Sequence, residues 1–179
     1  MKQLIAIADG AHRLVRAVGE AAAWTGLVMV LLIGFNVFAR YLFAFGSVAL
    51  QESEWHLMAI GALLGMSYAL NQGEEVRVDV LYAGFSPRTK HLIDMVASLL
   101  LLVVSLAVVV LSIGFVMQSY SLGEGSADPG GLPLRWLLKA CIPFAFLLLA
   151  LQALSNLLLL GVSLFDPDFA ASRRRASES

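Results

Sequence analysis

Four long apolar runs, separated by shorter polar stretches, set the pattern of the chain. They predict spans at about residues 21–43, 52–70, 92–117 and 136–162. Each run is long enough to cross a hydrocarbon core of about 30 Å at about 1.5 Å per helical residue. The pattern therefore predicts an all-α fold: a polytopic membrane protein with four transmembrane helices, forming a single membrane domain over residues 1–179.

Residues 1–19 differ from the spans because their apolar positions form only a stripe. Charged residues lie mostly off that stripe, which predicts an amphipathic helix in the membrane surface. The alternative is that these residues are the first turns of one long helix that continues into the first span. The stripe consists of Leu4, Ile7, Ala8, Ala11, Leu14, Val15 and Val18.

Two polar linkers and a polar tail separate or follow the spans. In the linker over residues 71–90, valines alternate with charged residues from Val76 to Val80, as in a β-strand. A lone strand, however, would have no neighbouring strand with which to pair. An irregular or short helical arm is therefore expected there. Ser86 followed by Pro87 predicts a helix start, with serine as the N-cap. Glycines and prolines over residues 121–133 end the neighbouring helices, and residues 166–179 form a tail.

The distribution of positive charge predicts the orientation. Nine of the twelve lysines and arginines lie in three places: the N-terminal segment, the 71–90 linker and the tail. The positive-inside rule places these parts, and so both termini, in the cytoplasm of a multi-pass bacterial inner-membrane protein. The turn between the first two spans and the glycine-rich linker over residues 121–133 then face the periplasm.

Composition supports the membrane class and narrows the partners. The chain is 59% hydrophobic and 14% charged, whereas soluble domains carry about 25% charged residues. The net charge of −1 gives no reason to expect a nucleic-acid partner. The single cysteine, Cys141, excludes an intrachain disulfide framework and a CxxC redox centre.

The residues that catalysis or ion coupling would need are not in suitable places. The histidines, His12, His56 and His91, lie outside the span centres, and the last two are expected on opposite sides of the membrane. They would not ligate one haem, so no enzyme activity and no cofactor are expected. No acidic residue lies at the centre of a span, which argues against a self-sufficient ion-coupled transporter.

A polar corner between the first two spans is the main candidate for partner contact. Asn36 and Arg40 share a helix face, and Glu52, Glu54 and Trp55 begin the next span. The acids also suit the positive end of a helix dipole, which is a purely structural role. Arg40 either pairs with these acids or with lipid phosphate, or it docks against another protein.

A second pair of polar residues lies inside the fourth span. Gln152 and Asn156 are four positions apart, so they share a face. Within a bilayer they need hydrogen-bond partners, either on another helix of this chain or on a partner chain. Gly61 and Gly65 form a GxxxG motif that permits close helix approach, and packing within the chain is its ordinary use.

Several of these segments resemble the small membrane subunit of tripartite ATP-independent periplasmic (TRAP) transporters. The stretch from Asn36 through Arg40 and Tyr41 to Phe43 is similar to an N-x-x-x-R-Y-x-F segment. The acids and tryptophan of residues 52–55 lie where that family has them. Residues 73–82 resemble its G-x-H-V-x-V-D segment, except that Glu75 stands where histidine is expected. Residues 130–152 resemble the start of its fourth helix.

The resemblance covers about residues 26–152 and implies a three-part system. A periplasmic solute-binding protein captures a carboxylate-type solute, and a large membrane subunit moves it together with sodium. The small subunit braces the large one, with membrane lipid as its other partner. The alternative is an accessory or anchor subunit of another inner-membrane complex, such as a redox enzyme.

Overall fold

The computed structural model describes residues 2–74, 82 and 84–165, and all the regular secondary structure within them is helical. The helices are α1 (Lys2–Phe43), α2 (Val48–Gln72), α3 (Pro87–Ser121) and α4 (Arg135–Phe165). The all-α prediction is confirmed. The predictions for Glu75, for the Val76–Val80 arm and for the tail over residues 166–179 fall on residues outside this description.

The start of α3 follows the local sequence signal. Pro87 is the first helical residue, and the Ser86 side chain accepts a hydrogen bond from the backbone N–H of Thr89 at 3.3 Å. The end of α2 is equally well explained, because Gly73 adopts a left-handed conformation with φ of 78°. Its N–H bonds the carbonyl of Leu70 and so satisfies one of the last free acceptors of the helix.

Three of the helices, α1, α3 and α4, are long and apolar enough to cross a membrane. The remaining helix, α2, is also long enough to span a membrane, at 25 residues. It carries Glu52, Glu54, His56 and Asn71, however, and these polar residues lower its apolar character. Length and composition therefore support three spans, and a crossing by α2 remains a prediction.

The N-terminal segment is continuous with the first span. An amphipathic surface helix over residues 1–19 was expected, with one long helix as the alternative, and α1 runs without interruption over 42 residues as that alternative predicts. The reason is that the inward stripe keeps its helical register beyond residue 19 and packs against the other helices. That stripe consists of Ala8, Ala11, Val15, Gly19 and Ala22.

The core lies around α4, which contacts the other three helices, whereas α3 packs chiefly against α4 alone. Half of the residues in the most apolar part of α4 are buried, compared with 6% of the residues in the most apolar part of α3. The inward face of α3 is formed by small side chains seven residues apart, namely Ser105, Ser112 and Ser119. Most of the other residues of α3 between positions 95 and 117 are apolar, and many of them are exposed.

Glycines bring α1 and α2 close together at two points. A side chain at Gly19 would overlap the side chain of Tyr68 across the interface. A Cβ atom at Gly61 would lie 2.5 Å from Oγ1 of Thr25, whereas one at Gly65 would meet no atom within 4 Å. The chain therefore uses only the first glycine of the GxxxG motif for a close internal contact.

Candidate functional site

Glu52 joins the second turn of α2 to the α3–α4 loop (residues 122–134). One of its carboxylate oxygens accepts a hydrogen bond from the hydroxyl of Ser126, and the other accepts one from the backbone N–H of Leu132 at 2.6 Å. Gly131 gives the carboxylate room, because a Cβ there would approach Oε2 of Glu52 to 2.8 Å. The residue is buried, so its charge is used within the chain.

Arg135, the first residue of α4, completes the surroundings of this carboxylate. Its Nη2 atom lies 3.6 Å from Oε1 of Glu52, and its guanidinium lies 5.8 Å from the centre of the Trp55 ring. The Trp55 ring in turn lies 4.2 Å from that of His56. The start of α2 and the start of α4 are thus held together by one ion pair and one cation–π contact.

A second ion pair holds the same loop to α4. Lys139 bonds the carboxylate of Glu124, and its ammonium lies 4.0 Å from the ring centre of Phe115. The backbone carbonyl of Glu124 accepts a hydrogen bond from the N–H of Arg135 at 3.0 Å. The bond from Lys139 is the main reason that the pKa of Glu124 lies below the ordinary glutamate value.

Asn36 and Glu54 link the end of α1 to α2. The side-chain amide of Asn36 donates to Oε1 of Glu54 at 2.8 Å, and Asn36 is buried. Arg40, one turn further along α1, is exposed and forms no hydrogen bond or ion pair with Glu52, Glu54 or any other described residue. Tyr41 beside it is 83% exposed.

The polar residues of the fourth span find partners within the chain. Gln152 is fully buried and accepts a hydrogen bond from the Asn71 amide at 3.0 Å. Its own amide donates to Asn156 at 3.1 Å and lies 3.3 Å from Nδ1 of His12. The Asn71 amide also bonds His12, at 2.8 Å to Nδ1. This His12 cluster (His12, Asn71, Gln152 and Asn156) joins α1, α2 and α4.

The His12 cluster lies well away from the loop-end cluster (Asn36, Glu52, Glu54, Glu124, Arg135 and Lys139). On α1, His12 and Asn36 are 24 residues apart, which corresponds to about 36 Å of helix. On α2, Glu54 and Asn71 are 17 residues apart, or about 26 Å. Both intervals are close to the thickness of a hydrocarbon core, about 30 Å.

Several contributors to these clusters escaped the sequence analysis. Ser126 and Leu132 lie in a loop whose glycines and prolines indicate only that the helices end there. His12 and Asn71 are 59 residues apart, so no local pattern pairs them. Arg135 and Lys139 carried a usable signal, because two cations beginning an apolar run require acidic or aromatic neighbours.

The arrangement offers structural contacts rather than a reaction centre. Among residues 2–74, 82 and 84–165, no three histidine, cysteine or acidic side chains are grouped so as to hold a metal ion. Apart from Arg40, the charged groups at the loop end contact each other, a polar side chain, the loop backbone or an aromatic ring. These contacts hold the helix ends and the α3–α4 loop in fixed positions relative to one another.

A bundle of long apolar helices, with polar contacts between the helices at two separated levels, defines a multi-pass membrane protein. Comparison with family models agrees, since residues 29–160 match the model described as "Tripartite ATP-independent periplasmic transporters, DctQ component". The chain belongs to this family, whose members are transporter components rather than enzymes, and it is an inner-membrane protein. No curated protein and no solved structure gave a match to the chain.

Proposed function

We propose that the chain is the small scaffold subunit of a TRAP transporter and braces the large membrane subunit. The observation that carries this proposal is the family match over residues 29–160. The large subunit then performs sodium-coupled uptake of a carboxylate-type solute, which a periplasmic binding protein delivers. The small subunit supplies neither the solute site nor the ion site.

The internal contacts support a bracing role. Glu52, Glu124 and Gln152 would be costly in a membrane if left unpaired, but all three are bonded within the chain. A helix bundle whose ends are fixed by such contacts resists deformation. That property suits a subunit that stays still while its partner moves.

The proposed topology has four spans with both termini in the cytoplasm. The two polar clusters support a crossing by α2, because Glu54 and Asn71 bond partners at opposite ends of α1. A helix that runs beside α1 between these two levels crosses the same layer. The loop-end cluster then lies at the periplasmic face and the His12 cluster at the cytoplasmic face.

Arg40 and Tyr41 are the most exposed residues of the predicted corner, where Trp55 is exposed to a smaller extent. Glu52 and Glu54 have partners within the chain, whereas Arg40 and Tyr41 are exposed. We assign them to contact with the large subunit or the binding protein. Arginine suits this role because its planar fork binds a carboxylate at two points.

Substitution of Arg40 separates this role from that of a lipid anchor. Truncating one side of a desolvated interface pair costs about 2–5 kcal/mol, whereas an exposed pair contributes below about 1 kcal/mol. Arg40→Ala should therefore leave the subunit inserted but impair transport, and Arg40→Lys should restore transport only in part. Full uptake by Arg40→Ala, with normal recovery of the large subunit, would identify Arg40 as an interfacial anchor.

The partner itself is identified by purification. The tagged chain, extracted from its native membrane in mild detergent, should bring a large multi-span transport subunit with it. Mass spectrometry identifies that subunit, and an absorption spectrum of the same sample reports haem or flavin. Recovery of a haem or flavin enzyme instead would favour an anchor subunit of a redox complex and contradict the proposal.

A further inference from the structure

Arg135 has more hydrogen-bond donors than its neighbours have free acceptors. A guanidinium carries five N–H donors, yet the Arg135 side chain forms no hydrogen bond with any described residue, and its Nε atom is buried without a partner. The nearest carboxylate oxygen, Oε1 of Glu52, is 3.6 Å away. Both oxygens of that carboxylate already accept bonds from Ser126 and Leu132. Because the Arg135 side chain is 31% exposed, an acceptor from outside the chain can reach the guanidinium.

Aromatic side chains at the same end of the bundle mark the depth of Arg135. Trp136 follows it in the chain and packs edge-on against Tyr120 at the end of α3, with ring centres 5.3 Å apart. Trp55, near the start of α2, is partly exposed and has its ring centre 5.8 Å from the guanidinium. Tryptophan and tyrosine are enriched where a membrane meets water. Arg135 therefore lies at the depth of the lipid headgroups.

An exposed apolar line descends along α4 from this point. Leu137, Phe144 and Leu147 are exposed, and their spacing of seven and three places them on one helix face. The ten positions from Leu137 to Leu147 correspond to about 15 Å of helix, or half of a hydrocarbon core of about 30 Å. The line therefore has the length of one lipid leaflet and begins one turn below the cation.

The backbone just before Arg135 is strained. Leu134 has φ of 63°, a left-handed conformation that is unfavourable for leucine. Its side chain is nevertheless exposed beside the cation. Strained residues of this kind cluster at sites that hold a ligand.

We propose that Arg135 binds the phosphate of a phospholipid, in the leaflet that surrounds the loop-end cluster. The planar guanidinium bonds two phosphate oxygens, and one acyl chain lies along Leu137, Phe144 and Leu147. The phosphate supplies the acceptors that the chain itself does not offer. This site goes beyond the proposed function, since it requires a membrane around the bundle but no large subunit.

Native mass spectrometry of the full chain, purified in mild detergent, tests the site. The probes are dioleoyl phosphatidylglycerol and dioleoylglycerol, which have the same acyl chains but differ in the phosphate headgroup. The unmodified chain should retain the phospholipid and very little of the phosphate-free lipid. Arg135→Gln should weaken phospholipid retention about tenfold, as expected for the loss of a charge-assisted hydrogen bond.

Arg40→Gln is the matched control, because Arg40 is an exposed arginine at the same end of the bundle. It makes the same change in charge and should leave retention nearly unaltered. Equal losses in the two variants would show only a general attraction of lipid to positive charge and would overturn the proposal. Unchanged retention by Arg135→Gln would also overturn it, and would assign the guanidinium to another acceptor, such as a carboxylate of a partner protein.

Arg135→Lys separates lipid binding from folding. Lysine keeps a positive charge beside Glu52 and Trp55 but lacks the planar fork that bonds two oxygens. This variant should elute and melt like the unmodified chain while it retains the phospholipid several-fold less well. Retention by Arg135→Lys equal to that of the unmodified chain would overturn the proposed phosphate contact.

Discussion

The carboxylate of Glu52 and the backbone N–H of Leu132 form a hydrogen bond of 2.6 Å between residues 80 positions apart. The bond joins the second turn of α2 to the α3–α4 loop just before α4 begins. With Ser126 and Arg135 on its other oxygen, the carboxylate holds three separate parts of the fold. This side chain therefore anchors the loop to α2, while the Glu124–Lys139 pair holds the loop to α4.

Removal of this side chain should loosen the loop. Glu52→Ala leaves the N–H of Leu132, the hydroxyl of Ser126 and the Arg135 guanidinium without their acceptor. We expect a fall of several degrees in the melting temperature of the detergent-purified subunit. Glu74→Ala is the control because Glu74 is exposed, and it should leave the melting temperature nearly unchanged. Equal melting temperatures for the two variants would contradict a structural role for Glu52.

The Glu124–Lys139 pair should make stability depend on pH. The folded-state pKa of Glu124 lies below the ordinary value of 4.5. Its stabilisation is therefore complete above about pH 4.5 and is lost as the pH falls through the folded-state value. Glu124→Gln should melt below the unmodified protein at pH 7, and the difference should shrink on acidification. A difference in melting temperature that stays constant down to pH 3.5 would show that the pair contributes no titrating stabilisation.

Two glycines of α1 should respond very differently to the same substitution. At Gly19 an added methyl group would overlap Tyr68, whereas at Gly26 it would meet nothing within 4 Å. Gly19→Ala is expected to destabilise the bundle by about 1–3 kcal/mol. Gly26→Ala should be neutral or stabilising by up to about 1 kcal/mol, because alanine is the better helix former. Thermal unfolding of both variants in the same detergent measures the difference in stability. Similar losses of stability in the two variants would argue against the close contact between α1 and α2 at Gly19.

The membrane crossing by α2 is tested by labelling both of its ends. Single cysteines replace Gly46 before the helix and Glu74 after it, with Cys141→Ser removing the native thiol. A membrane-impermeant maleimide applied to intact cells should label the first site, and it should reach the second only after permeabilisation. Labelling of both sites from the same side would leave α2 in the membrane surface and reduce the bundle to three spans.

The sequence predicts the helices of this fold better than their contacts. Long apolar runs and the Ser86–Pro87 signal are local, so they locate the helices and the start of α3. The bonds of Glu52 to Leu132 and of Asn71 to His12 depend on how distant helices pack, which no local pattern specifies. The continuity of α1 was only the alternative interpretation for a related reason. Its apolar stripe, centred on Ala8, Ala11 and Val15, is buried against the chain's own helices, and a stripe alone does not distinguish such packing from binding at a membrane surface.

Solute uptake by proteoliposomes tests the scaffold account most directly. The vesicles contain the large subunit with or without this chain, the binding protein is added outside, and a sodium gradient is imposed. Equal amounts of inserted large subunit are confirmed in both preparations. We predict sodium-driven, binding-protein-dependent uptake only when the chain is present. Equal uptake by vesicles that lack the chain would contradict its role as a required scaffold of the transporter.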